Sequence, residues 1–233
     1  MELPHEAFRP TVTQINNLAP GARRMASPVV RLHCTRPHSG TEIVMSDPIA
    51  LWHAEHINFA ILLNLLEVQL DRFHRGKAPD YELMLDIMFY MTHYPDVLHH
   101  PKEDLAFARM AERQASVRPI VADLAGQHAK LKHDGNALAV ALDDIVNGSI
   151  TVREHVEAPG RAYIAAFRGH IDREEGEILP LASRLLDRGD WEAINAAILL
   201  LEDPLFGKTL DHRYAALRRQ IASHVRTSKA TGA

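Results

Sequence analysis

The chain has 233 residues, 46% hydrophobic and 24% charged, with 26 basic against 30 acidic side chains and a formal net charge of −4. That length is ample for a buried core, and the near-balanced charge excludes the basic field of a nucleic-acid binder and the polybasic footprint of a membrane-surface protein. One cysteine, Cys34, allows no intramolecular disulfide, the opening Met-Glu-Leu-Pro-His-Glu has no signal-peptide pattern, and the longest apolar run, Ala196 to Leu201, is too short for a bilayer, so a cytoplasmic protein is expected.

Residues 1–46 show no sustained periodicity and are interrupted by prolines, Gly21 and Gly40, which predicts an irregular arm. A first helix is expected to start at Ser46 or Asp47, with Pro48 in its first turn. Its core stripe reads Ile49, Trp52, His56, Phe59, Leu63, Leu66, Leu70 and Phe73, in alternating steps of three and four. The stripe stops near Arg75-Gly76. A second helix is predicted over about 80–113, with Leu85, Met88, Phe89, His99, Glu103, Phe107 and Met110 near one face. Pro95 and Pro101 fall inside it and are expected to kink it.

Ser116 is the expected cap of a third helix, whose stripe runs Val117, Val121, Leu124, His128, Leu131, Gly135, Leu138, Leu142 and Ile145 to a stop at Asn147-Gly148. Thr151 with Glu154 spells a capping box for a fourth, although Pro159-Gly160 could delay its start. Its stripe is Tyr163, Phe167, His170, Glu174, Ile178 and Leu181, and Gly189 is expected to close it. Residues 190–225 read as one or two further helices, split by Asp203-Pro204 and Gly207. No strand alternation occurs. The expected fold is all-α: an irregular N-terminal arm over 1–46, an up-down four-helix bundle over 47–188 and a C-terminal helical extension over 189–233.

Two segments repeat one pattern. His99-His100-Pro101-Lys102-Glu103-Asp104 and His170-Ile171-Asp172-Arg173-Glu174-Glu175 both read H-x-x-x-E-[DE]. Four residues place His and Glu one turn apart on the same helix face, a natural half-site for a divalent metal such as iron. In an up-down bundle His56, His99, His128 and His170 fall on one level, nearly equidistant from the loop-side ends of their helices, with Glu103 and Glu174 one turn away. A lone histidine on an apolar stripe is ordinarily a satisfied core residue. Four at a common height, with two core-facing carboxylates and no Lys or Arg to pair them, argue for a bound metal instead, because unpaired buried carboxylates are costly.

These residues resemble the hemerythrin-like (HHE cation-binding) family. HHPKED at 99–104 and HIDREEGEILPLA at 170–182 look like its two H-x-x-x-E motifs, and WHAEH at 52–56 and QH at 127–128 look like its single-histidine helices. The resemblance covers about residues 47–187. It implies an up-down bundle holding two non-haem irons, with His56, His99, Glu103, His128, His170 and Glu174 as ligands and the two glutamates bridging. His99 and His100 compete for one place, and His99, four before Glu103, is preferred. His74 and His93 are candidates for extra or supporting roles. His53 sits off the stripe, and His155 lies ~22 Å from His170 along a helix.

One departure bears on function. Oxygen-carrying hemerythrins have two histidines four apart on the third helix, whereas here the residue four beyond His128 is Lys132 and His133 points elsewhere. The expected site is a four-His, two-Glu variety with more open coordination, suited to reacting with oxygen, peroxide or nitric oxide. The resemblance implies a protein that binds or senses oxygen or nitric oxide. A second class is a stress enzyme acting on nitric oxide or peroxide, or supplying iron for iron–sulfur repair. Ferritin-like Glu-x-x-His pairs occur only at Glu2 to His5, and structural zinc ordinarily takes four ligands, often cysteine.

Overall fold

A computed structural model describes residues 47–198 and 201–231. The predicted arm at 1–46, with Cys34, lies outside the described residues, as does the side chain of His74. The first helix, α1 (Pro48–His74), is capped by Asp47, whose Oδ1 accepts the Ile49 amide at 3.0 Å. It stops at Gly76, which adopts φ 65, a left-handed conformation that a side chain would strain. α2 (Tyr81–Tyr94) is capped by Asp80 and runs through a π-helical turn, Pro95–His99, into α3 (His100–Arg113). α4 (Arg118–Val146) ends before Gly148, at φ 93. α5 (Glu154–Arg173) runs through a second π turn, Glu174–Ile178, into α6 (Leu179–Leu185), followed by α7 (Arg188–Ala197) and α8 (Ala215–Thr231).

Four rods, α1, α2–α3, α4 and α5–α6, make the predicted up-down bundle, with no strand among the described residues. The second rod is not broken at its prolines. Pro101 has no amide proton, and its ring would crowd the Val97 carbonyl in a regular helix. The π turn takes up this strain: the His100 amide reaches back five residues to the Pro95 carbonyl, and Pro101 becomes the second residue of a restarted helix. The same device recurs around Pro180, where the Leu179 amide bonds the Glu174 carbonyl. Such turns concentrate at functional sites.

Three local expectations fail. Ser116 and Thr151 make no cap hydrogen bond; α4 and α5 begin without a side-chain cap, and Pro159 is carried inside α5. Gly189 does not close the fourth rod, which ends at Leu185. It lies inside α7, started by a reciprocal box in which Asp187 accepts the Asp190 amide and Asp190 accepts the Asp187 amide.

Apolar side chains form two clusters. The larger contains Phe59, Leu63, Leu66, Met88, Tyr90 and Phe167. Leu205, Tyr214, Leu217 and Ile221 of the C-terminal segment are buried in it. The smaller is built on Trp52, Phe107, Leu124, Ile178 and Trp191. α1 is long and apolar enough to cross a membrane by length and composition alone, yet its core face also carries Glu55 and His56, both buried. Between the clusters lies a layer of polar side chains.

Candidate metal centre

Seven side chains converge in that layer: His56 on α1, His99 closing the first π turn, His100 and Glu103 on α3, His128 on α4, His170 on α5 and Glu174 opening the second π turn. None is more than 5% exposed. Their ligand-type atoms form two sets, each within 4.8 Å: His56, His99, Glu103 and Glu174, and His100, Glu103, His128 and His170.

The outer nitrogen of every imidazole is held. His56 Nδ1 lies 2.7 Å from Glu175 Oε1, His99 Nδ1 2.7 Å from Glu55 Oε2, and His128 Nδ1 2.9 Å from Asp104 Oδ1. His170 Nδ1 lies 3.1 Å from Gln127 Oε1 and His100 Nδ1 3.2 Å from Asp96 Oδ1. These oxygens are acceptors, so Nδ1 of His56, His99, His128 and His170 carries the proton and donates, while His100 Nδ1 lies in ion-pair range of Asp96. In the neutral imidazole that leaves the Nε2 lone pair free, and all five Nε2 atoms face inward.

The two carboxylates lie between the sets. Glu103 puts Oε1 at 3.1 Å from His99 Nε2 and 3.5 Å from His56 Nε2, and Oε2 at 3.6 Å from His128 Nε2. Glu174 puts Oε2 at 3.4 Å from His56 Nε2, and Oε1 at 3.2 Å from His170 Nε2 and 3.4 Å from His128 Nε2. His56 Nε2 and His99 Nε2 face each other at 3.1 Å. His100 Nε2, His170 Nε2, both oxygens of Glu103 and Glu174 Oε2 are buried without a hydrogen-bond partner. A satisfied structural network would not leave these atoms orphaned, since each costs ~1–3 kcal/mol or more. Convergent nitrogen lone pairs and carboxylate oxygens are the donor set of a divalent cation, and these residues fit one.

The electrostatics are those of competing charges in a dry space. Burial raises the Glu103 carboxyl, but His99 and His56 outweigh it and hold the group well below the usual range. Glu174 is pushed up to about 7 by burial and by the Glu103 charge. Burial opposes the charged form of His99, yet Glu103 and Glu55 hold it up to about 10. His170 is driven down to about 2 by burial and by the neighbouring His128 and His100. A proton on an inner nitrogen occupies the lone pair a metal would take, so cation uptake here releases protons.

A family model, the hemerythrin HHE cation binding domain, matches residues 47–182, more than half of the chain. The chain belongs to this hemerythrin family. No curated protein matches it.

The hemerythrin domain thus gathers all six residues singled out in the sequence and brings in His100, the rival to which His99 was preferred. Both His99 and His100 reach the polar layer, in different sets. Adjacent helical residues diverge by ~100°, and the polar layer reaches to both sides of the second rod. The His99 ring turns to His56 and Phe59, whereas His100 stacks on His128 at 4.3 Å. The geometry therefore offers five imidazoles rather than four. His93 stays outside, stacked on Phe89, and His133, His155 and His212 are exposed. His53 is exposed too but shares Glu175 with His56, at 3.0 Å.

The anchoring residues Glu55, Glu175, Asp96, Asp104 and Gln127 were not foreseen. A partial signal existed: Asp96 is four residues before His100, and Glu55 and Gln127 each directly precede a single histidine. A cavity of about 250 Å³ opens beside His100 and His128, walled by Asp96, Asp104 and Lys132.

Proposed function

We propose that the cluster holds two non-haem irons bridged by Glu103 and Glu174, and that the centre binds a small diatomic molecule, oxygen or nitric oxide. His56 and His99 would hold one iron; His100, His128 and His170 the other. The observation that carries this reading is the pair of carboxylates, each turning one oxygen to either set of inward Nε2 atoms. Seven nitrogen and carboxylate donors without cysteine suit two irons better than a structural zinc, which ordinarily takes four ligands.

When bound, the irons supply reversible one-electron chemistry with a small ligand. The chain's own residues do the rest. The four Nδ1 hydrogen bonds, with the Asp96 carboxylate beside His100, fix ring orientation before any metal arrives. Phe59 lies 4.9 Å from His99, Phe107 5.8 Å from His128 and Phe167 5.9 Å from His100, all ring to ring. These rings exclude water and charged substrates while admitting small uncharged molecules. Hydrogen peroxide meets the same test of size and charge. The unequal numbers of imidazoles leave the His56–His99 half with fewer protein donors, so an incoming ligand would bind there. The setting assigned is cytoplasmic, from the lone Cys34 and the balanced charge.

Iron analysis with optical spectra of anaerobically loaded protein, then exposed to air and to nitric oxide, tests the proposal. Two irons per chain and new near-ultraviolet and visible bands on exposure are expected. Failure to take up iron, or zinc uptake with no spectral response, would overturn it.

A further inference from the structure

The larger core contains two tyrosines that face carboxylates. Tyr94 donates its hydroxyl to Glu55 Oε1 at 2.8 Å, while the other oxygen of Glu55 accepts from His99. Tyr90, one turn earlier, stacks on Tyr94 with ring centroids 5.5 Å apart and planes 17° from parallel. It donates to Asp203 Oδ2 at 2.9 Å. Asp203 is itself fixed, its Oδ1 accepting the Leu205 and Phe206 amides at 2.8 Å each. Both rings are buried. Asp203 lies beyond the residues matched by the family model, so the second acceptor comes from this chain's own C-terminal segment.

A buried tyrosine needs a partner for its hydroxyl, but a backbone carbonyl or an amide would serve without the desolvation cost of a carboxylate. Two stacked tyrosines with separate carboxylates therefore call for a further reason. An oxidised phenol is a strong acid and must shed its proton as the electron leaves, and a carboxylate in hydrogen-bond contact is there to receive it. Burial and nearby carboxylates hold both phenols well above their ordinary range, so neither is a phenolate beforehand.

We propose that Tyr94 and Tyr90 are a redox-active pair that supplies electrons to the metal centre when it meets hydrogen peroxide, an inference that rests on the di-iron reading above. Each tyrosine gives up one electron and one proton and becomes a neutral phenoxyl radical. The Tyr94 O–H bond breaks as an O–H bond forms on Glu55, and the Tyr90 O–H bond breaks as one forms on Asp203. Two electrons from the phenols and two protons taken up from solvent convert one hydrogen peroxide to two waters, while the two phenol protons stay on Glu55 and Asp203.

The test uses the full chain, with iron content measured first. Iron-loaded protein is mixed with hydrogen peroxide, frozen rapidly and examined by electron paramagnetic resonance. A tyrosyl signal is expected in the wild type, a signal of changed intensity and line shape in each of Tyr94→Phe and Tyr90→Phe, and its loss in the double Phe variant, at unchanged iron content. Asp203→Asn keeps an acceptor but removes the base, and is expected to slow radical formation and enlarge its solvent deuterium effect, which a packing role would not do. Full iron loading with no tyrosyl signal, or a signal that survives the double Phe variant, overturns the proposal. Absence of iron uptake overturns the di-iron reading instead. In that event a photogenerated one-electron oxidant acting on the metal-free chain tests the pair alone: a radical lost in the double Phe variant supports it, and one unchanged by it does not.

Discussion

One half of the bundle, α1 with α2–α3, and the other, α4 with α5–α6, carry one bonding pattern twice. On α1 the neighbours Glu55 and His56 divide their work: Glu55 anchors His99 of its own half, and His56 is anchored by Glu175 of the other. On α4 Gln127 anchors His170, and His128 is anchored by Asp104 across the bundle. Glu103 and Glu174 correspond, each followed by the acid that reaches across. The halves differ in two places. Glu55 is a carboxylate where Gln127 is an amide, and His100 stands where the other half has Ile171. A repeated scaffold thus positions two matched sets of candidate ligands, and the two departures make them chemically unequal. A carboxylate anchor makes an imidazole a stronger donor than an amide anchor does. The inner nitrogens already differ: His99 is held up to about 10 against burial by Glu103 and Glu55, while burial and the neighbouring His128 and His100 drive His170 down to about 2.

The largest expected effect comes from removing what the halves share. Glu103→Gln with Glu174→Gln keeps shape but removes both charges and both proposed bridges, and metal analysis should fall from the two ions per chain proposed above to none while circular dichroism stays helical. Because two crowded buried carboxylates are costly without a cation, the metal-free variant should melt no lower than the metal-free wild type. Retention of both ions would sink the bridging assignment. The next effect comes from making the halves alike. His100→Ile copies Ile171 into the first half and deletes one imidazole, so the affinity of the three-histidine set should fall further than the ~10–100-fold typical of losing an anchor. An unchanged chelator titration would mean that His100 packs against His128 without binding metal.

Legibility divides along the same line. The stripe positions His56, His99, His128 and His170 and the glutamates one turn on were readable, because a spacing of four fixes a helix face whatever the tertiary structure does. His100 was readable only as a rival to His99, since one helix face was assumed to meet one metal, and only the assembled bundle shows the second rod flanked on both sides. The anchors Glu55 and Glu175 read as ordinary acids next to the stripes; the imidazoles they hold, His99 and His56, sit on other helices at no fixed sequence spacing. Pro101 and Pro180 were legible as obstacles, but whether a helix kinks, breaks or widens at a proline depends on what its neighbours hold in place. The link from Tyr90 to Asp203 joins residues 113 positions apart and rests on a segment that periodicity marked only as an appendage.

The smallest effect comes from exchanging the anchors. Glu55→Gln gives the first half an amide at His99, so stepwise titration against a competing chelator should weaken one binding step by ~10–100-fold and leave the other in place. Gln127→Glu gives the second half a carboxylate at His170 and should tighten the other step. With both substitutions the order of filling should shift towards the three-histidine set. Tyr94 also donates to Glu55, and a glutamine oxygen can accept from only one of the two groups well, so the loss from Glu55→Gln should exceed the gain from Gln127→Glu. Equal and opposite changes would mean that Tyr94 is indifferent to the anchor. No change in either step would mean that the outer bonds only hold the rings in place, and the inequality of the two halves would then rest on His100 alone.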